Sequence, residues 1–343
     1  MGPGTKRVAV LAALALGVVL SGLAAAHAGV LDDVKQRKKL NCGVNPGLAG
    51  FAVVDGQEQW SGFDVDYCRA IAAAVLNDPL AVNFVALTTK ERFRALQSGD
   101  VDVLLRDTAW TMARDTSFGL TFAGVNYYNG QAFMVPRSLG VDSALQLTGS
   151  RVCVESGSAA EIAATAFFRL HGMAFIPVVV EDAAKQKQSY ETGLCNVYTG
   201  DSVSLHAARL DLAHPDENLV LPELLSKEPY GPVVLQGDDQ WFAVVKWVHF
   251  ALLNAEELNV TAATVDAMKA SDDAEVRQLL GAEGTLGKGI GLDAAWAANA
   301  IRAVGNYGEI FERNLGSASK LRIHRGLNAL WTKGGIQFAP PMR

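Results

Sequence analysis

Residues able to hold charge gather just beyond the ends of apolar runs. Asn45 and Pro46 follow the run that ends at Val44. Arg106, Asp107 and Thr108 follow Leu105, with Trp110, Thr111 and Arg114 close behind. Glu155, Ser156, Gly157 and Ser158 follow Val154, and Tyr198, Thr199, Gly200 and Asp201 follow Val197. A guanidinium grips a carboxylate through two parallel hydrogen bonds. An ionised aspartate accepts from an ammonium, and the N–H groups that open a helix attract negative charge. Together these types suit a zwitterion with an α-carboxylate and an α-ammonium. Spacings needed by other chemistries are missing. His171, His206, His214, His249 and His324 are scattered, with no H-E-x-x-H and no G-x-S-x-G elbow. Gly287-Lys288 is followed by Gly289, where a phosphate loop needs Ser or Thr. There is no C-x-x-C, so neither a zinc site nor any other metal or cofactor is expected.

The runs themselves must position these groups. Leu40, Cys42 and Val44 fall on one face of a strand, which Asn45-Pro46-Gly47 ends. Val65, Cys68, Ile71, Ala72, Val75 and Leu76 recur at helical spacing, with Asp64 as a candidate cap. Residues 80–87 form a second strand, Thr88 and Glu91 a capping-box pair for the next helix, and residues 101–105 a third strand. The rhythm repeats from Gly130: strands at 131–135, 151–154, 175–180 and 195–198, helices at 159–170 and 182–192. Such β-α-β alternation implies doubly wound α/β lobes, whose ligands bind beyond the carboxyl ends of strands. The chain is expected to cross between two lobes near Tyr127-Tyr128 and again over 227–232. Residues 241–258 carry an aromatic stripe and read as a buried helix of the first lobe, the alternative being a partner surface.

Half of the 343 residues are hydrophobic, which excludes global disorder. Lys+Arg 30 against Asp+Glu 36 gives a net charge of -6, so no basic surplus is available to neutralise nucleic-acid phosphates. Lys6 and Arg7 precede an uncharged apolar stretch, residues 8–20, and the small-x-small triplet Ala26-His27-Ala28. This is the pattern of a signal peptide cleaved after Ala28, with an uncleaved membrane anchor as the alternative. Export makes Cys42, Cys68, Cys153 and Cys195 candidates for disulfides, for which three connectivities exist. The lobe partition places Cys42 with Cys68 and Cys153 with Cys195.

Several segments resemble one family. Gly62-Phe63-Asp64-Val65-Asp66, Thr111 to Arg114, Gly157-Ser158 and Gly200-Asp201 are similar to motifs of polar amino-acid periplasmic binding proteins. Glu228-Pro229-Tyr230-Gly231-Pro232, Gly237-Asp238-Asp239-Gln240-Trp241-Phe242, Val304-Gly305-Asn306-Tyr307-Gly308-Glu309 and Gly326-Leu327-Asn328-Ala329-Leu330-Trp331 resemble the general L-amino-acid binding proteins of ABC importers. The resemblance implies the type II two-lobe periplasmic binding protein fold, with a ligand cleft between lobes. It implies a periplasmic monomer that hands a free L-amino acid to permease subunits in the inner membrane. Residues 29–128 and 232–343 would form the first lobe and residues 129–231 the second.

By the same resemblance Arg114 would clamp the ligand carboxylate and Asp201 would receive its ammonium. Ser158 and the N–H groups after Gly157 would hold the carboxylate from the second lobe. Thr111 would support the Arg114 turn, Asp107 and Ala109 would stand at the site, and Leu48 and Thr89 would line the side-chain space. Ala109 and Ala159 depart from the hydroxyl residues usual there, and Asp107 and Glu155 from amides. Two acids facing the cleft imply a penalty on acidic ligands, unless Arg106 neutralises Asp107. The related fold also serves cyclohexadienyl dehydratases, where an acid such as Glu155 would act, and sensors.

Overall fold

The computed structural model describes residues 29–343, so the signal-peptide segment lies outside the described residues. The first sheet has the order β4-β1-β5-β14-β6, built from β1 (Leu40–Val44), β4 (Val82–Ala86), β5 (Val103–Leu104), β6 (Leu120–Phe122) and β14 (Val233–Leu235). β1 pairs in parallel with β4 and β5, whereas β14 is antiparallel to both of its neighbours. β2 (Val53–Val54) and β3 (Trp60–Ser61) form a small hairpin beside it. The second sheet, β10-β9-β11-β8-β12, uses β8 (Gln131–Pro136), β9 (Arg151–Glu155), β10 (Ile176–Val180), β11 (Val197–Asp201) and β12 (Asn218–Val220). β9 is parallel to β10 and β11. Between the sheets the chain passes twice, through β7 (Tyr127–Asn129) and β13 (Glu228–Tyr230), which pair antiparallel.

Apart from the largely exposed edge strands β4 and β10, the sheets are covered on both faces, and side-chain alternation divides the cores. Val103 and Leu105 enter one core of the first sheet, and Leu104 enters the other. Phe133, Val135, Val152 and Val154 enter one core of the second sheet, while Ala132, Met134 and Cys153 enter the opposite one. Strands buried on both faces read as continuous apolar runs, and this is why they are legible.

In chain order the helices are α1 (Val30–Arg37), α2 (Phe63–Leu76), α3 (Arg92–Gln97), α4 (Met112–Ser117), α5 (Ala159–Leu170), α6 (Ala183–Glu191), α7 (Ser202–Leu210), α8 (Asp239–Glu257), α9 (Ala274–Leu279), α10 (Leu286–Gly289), α11 (Trp296–Val304) and α12 (Tyr307–Asn314). α8 is the helix expected over 241–258, and it is a core helix: Trp241 is buried, and its indole N–H donates to the Asp102 carbonyl at 2.8 Å. α2 opens on Gly62, not on Asp64. Gly62 has φ 134, and a Cβ there would lie 2.2 Å from the Phe51 carbonyl oxygen, so the entry to α2 requires glycine. Asp66 lies within α2 and anchors the C-terminal helices. Its carboxylate accepts from Arg313 at 2.6 Å and Asn314 at 2.7 Å.

Cys42–Cys68 ties β1 to α2, and Cys153–Cys195 ties β9 to the turn before β11, with Cα separations of 6.1 and 5.6 Å. Each bridge stays within the neighbourhood of one sheet, as the partition implied. After α12 the chain runs back across the crossing strands, where Asn328 exchanges hydrogen bonds with the backbone of Tyr128.

Candidate functional site

Beyond the ends of β1 and β5, two arginines are held differently. The Arg106 Nε donates to the Leu87 carbonyl at 2.8 Å and its Nη2 to Thr89 Oγ1 at 3.2 Å, so Thr89 serves to fix Arg106. Its Nη1 lies 3.4 Å from both oxygens of Asp107, and Asn45 Nδ2 donates to Asp107 Oδ1 at 2.9 Å. Asp107 has a left-handed backbone with φ 40. Its N–H donates to Asp64 Oδ2 at 3.2 Å, which explains the buried aspartate two residues after Gly62. Burial, and then the neighbouring Asp107 charge, push the Asp64 carboxyl well above the usual range.

Arg114 stands one turn into α4. Thr111 is the N-cap of that helix, and its Oγ1 accepts from the Arg114 N–H at 3.4 Å. The guanidinium donates to the Ala109 carbonyl at 2.6 Å and lies 5.7 Å from the Phe93 ring. Ala109 bridges Tyr230, and the Trp110 N–H donates to the Pro229 carbonyl at 2.7 Å, so the Arg114 loop is fastened to β13. On the same Phe93 ring, at 4.7 Å, lies the guanidinium of Arg92. Arg92 is 4% exposed, its Nε has no partner, and no hydrogen bond or ion pair to its side chain is found among the described residues. Burial, followed by the charges of Arg114 and Arg106, lowers it to about 10. Sequence reasoning missed Arg92, because a charged residue in a helix's first turn reads as solvated surface.

Asp201 closes β11 and caps α7, its Oδ1 accepting from the Ser204 N–H at 3.1 Å. Its Oδ2 accepts from the Tyr230 hydroxyl at 2.8 Å and from Asn129 Nδ2. Asn129 and Tyr230 belong to the crossing strands, so Asp201 sits where the two sheets join. Burial pushes the Asp201 carboxyl up, against the pull of these hydrogen bonds. Tyr230 thus touches both the Ala109 segment and Asp201; the sequence marks it only as part of the Glu228–Pro232 segment and does not mark Asn129.

The Gly157 turn is built differently. Gly157 has φ 72, and its N–H donates to Glu161 Oε2 at 2.7 Å. Ser158 caps α5, its Oγ accepting from the Glu161 N–H at 3.1 Å. Among the described residues no hydrogen bond joins this turn, Glu155 or Ala159 to Arg114 or Asp201. Leu48 lies in a bridge to Ala52 and packs against the first-sheet core. Tyr230 links the segment that holds Arg114 to the anion Asp201, and a second guanidinium, Arg92, shares the Phe93 ring with Arg114. Among the described residues no group of three or more His, Cys, Asp or Glu side chains is placed to hold a metal ion.

Residues 40–280 match the bacterial extracellular solute-binding proteins, family 3, and the chain belongs to that family. It is 51% identical over 97% of its length to the general L-amino acid-binding periplasmic protein AapJ of Rhizobium johnstonii, covering 98% of that protein. It is 48% identical over 98% of its length to the glutamate/glutamine/aspartate/asparagine-binding protein BztA of Rhodobacter capsulatus, covering all of it. A solved ABC-transporter periplasmic binding protein from Brucella ovis, with glutathione bound, is 53% identical. It covers 92% of this chain and 100% of its own, with a TM-score of 0.80. The fold is therefore the two-lobe periplasmic binding protein fold, and the chain is a solute-binding protein, not an enzyme.

Proposed function

We propose that the protein captures a free L-α-amino acid between its lobes and delivers it to the permease subunits of an ABC importer. The carrying observation is the pair of opposite charges, Arg114 and Asp201, linked through Tyr230. Arg114 would take the α-carboxylate and Asp201 the α-ammonium, with Thr111 holding the arginine's turn. Ser158 and the Gly157 turn would reach the carboxylate when residues 129–231, the second lobe, close on 29–128 and 232–343. The ligand-binding names of the Rhizobium and Rhodobacter relatives support the class of ligand. Glutathione, held by the Brucella relative, carries the same α-ammonium and α-carboxylate on its γ-glutamyl end. Export with cleavage after Ala28 and a monomeric state complete the reading.

Leu48 and Thr89 flank the space for the ligand's side chain, and Arg92 supplies a cation there. The penalty on acidic ligands expected from Asp107 and Glu155 is weakened at Asp107 by Arg106 and Asn45, which already occupy that carboxylate. With Arg92 unpaired beside it, glutamate and aspartate fit the cleft together with their amides. A calorimetric screen of the common L-amino acids against the mature protein tests the reading. Saturable one-to-one binding of several is expected, and no binding by any of them would overturn it.

A further inference from the structure

A second concentration of positive charge lies away from the candidate cleft. A groove of about 1040 Å³ separates α7 and β12 of the second sheet from the C-terminal segment around residues 317–334. That segment lies beyond residue 280, where the family match ends. Arg137, Arg209, Arg322, Arg325 and Lys333 line the groove, against Asp216 and Glu312. Two of the five cations are accounted for, since Arg325 and Lys333 lie 3.0 and 3.4 Å from the Glu256 carboxylate. Glu312 is turned to Ser317, accepting from its N–H and hydroxyl at 2.9 Å.

Of the other three cations, only Arg322 makes an ion pair among the described residues, and that one is long. Arg322 approaches Asp216 at 4.0 Å. Arg137 donates only to the Asp216 backbone carbonyl, at 2.9 Å. Arg209 is 8% exposed, donates through Nη2 to the Leu321 carbonyl at 3.0 Å, and leaves its Nε buried without a partner. Beside it His206 Nδ1 is also buried without a partner. Three guanidiniums against the single Asp216 carboxylate leave an excess of positive charge, partly buried at Arg209, and an anion bound there removes it. The planar fork of Arg209 and the nearby Arg137 match the oxygens of a compact oxyanion.

From the excess of Arg137, Arg209 and Arg322 over Asp216 we infer a second solute site in this groove, for a small phosphate- or carboxylate-bearing anion, separate from the amino-acid cleft. His206 stays neutral near neutral pH, because burial and then Arg209 lower it to about 4, so it adds a hydrogen bond and not a charge. The test is calorimetric titration of the mature protein with inorganic phosphate and, separately, with citrate, at low ionic strength. One-to-one saturable binding of at least one probe is expected. It should weaken at least tenfold in Arg209→Gln, and also in Arg137→Gln, whose exposed side chain can be changed without disturbing a core. Amino-acid affinity measured without either probe should stay within twofold in Arg137→Gln. Absence of saturable binding of both probes, binding that survives both substitutions, or displacement of the probe by an amino acid would each overturn the inference.

Discussion

Burial makes an ionised Asp201 costly to the folded protein. Burial raises its pKa, so the folded state favours the protonated form. Ionisation above the unfolded pKa therefore costs stability, and the cost is relieved as pH falls through the folded pKa. Asp201→Asn should leave the ligand-free protein as stable as wild type or more so at neutral pH. An amide still caps α7, and the unpartnered Asn129 Oδ1 can accept from it after a flip. The same variant should lose ligand binding, so thermal melts with and without ligand would show no ligand-induced rise. In the wild type, affinity should fall on acidification beginning above the ordinary carboxylate range, because the ammonium needs an ionised partner. Arg114→Ala should weaken binding of every amino acid by roughly 2–5 kcal/mol, the cost of truncating one member of a desolvated charge pair. Arg92→Ala should instead act selectively, weakening glutamate and aspartate about tenfold, or about 1.4 kcal/mol, with little effect on glutamine. Equal losses for glutamate and glutamine would show that Arg92 does not face the ligand's side chain.

Among the elements, long apolar strands and helices were legible, because burial on both faces leaves an unbroken apolar run. The short pieces were not. β7 and β13 are three residues each, and their pairing depends on partners about a hundred positions apart. Tyr230 and Asn129 acquire their roles only through that pairing. Asp64 looked like a helix cap from its place before an apolar stripe, yet the cap is Gly62 and the carboxylate serves the Asp107 backbone. Thr88 and Glu91 do interact, but the Glu91 carboxylate accepts from both the Thr88 N–H and its hydroxyl, so only half of a capping box forms. The cysteine pairing was within reach because lobe membership separates the four residues. The bridges close sequence spans of 26 and 42 residues. Replacing Cys153 and Cys195 together by serine should cost about 2–4 kcal/mol in denaturant unfolding. Ligand affinity should change less than twofold, since neither cysteine bonds to a site residue. A fall in affinity with unchanged stability would reverse that assignment.

For the whole molecule, two sheets are joined by the crossing strands β7 and β13, and Val203 of α7 packs into the first-sheet core beside that junction; hinge closure on ligand is the expected motion. Ligand that touches both lobes binds the closed form better and shifts the population toward it. The cleft should grip the α-carboxylate and α-ammonium shared by all L-amino acids. Calorimetric titration of L-glutamine beside N-acetyl-L-glutamine and L-glutaminamide tests this most directly, because each analogue keeps the side chain and removes one charge. Glutamine should bind one-to-one with micromolar affinity or tighter, about -8 kcal/mol, and each analogue at least about a hundredfold more weakly. Either analogue binding as tightly as glutamine would contradict the assignment of Arg114 and Asp201.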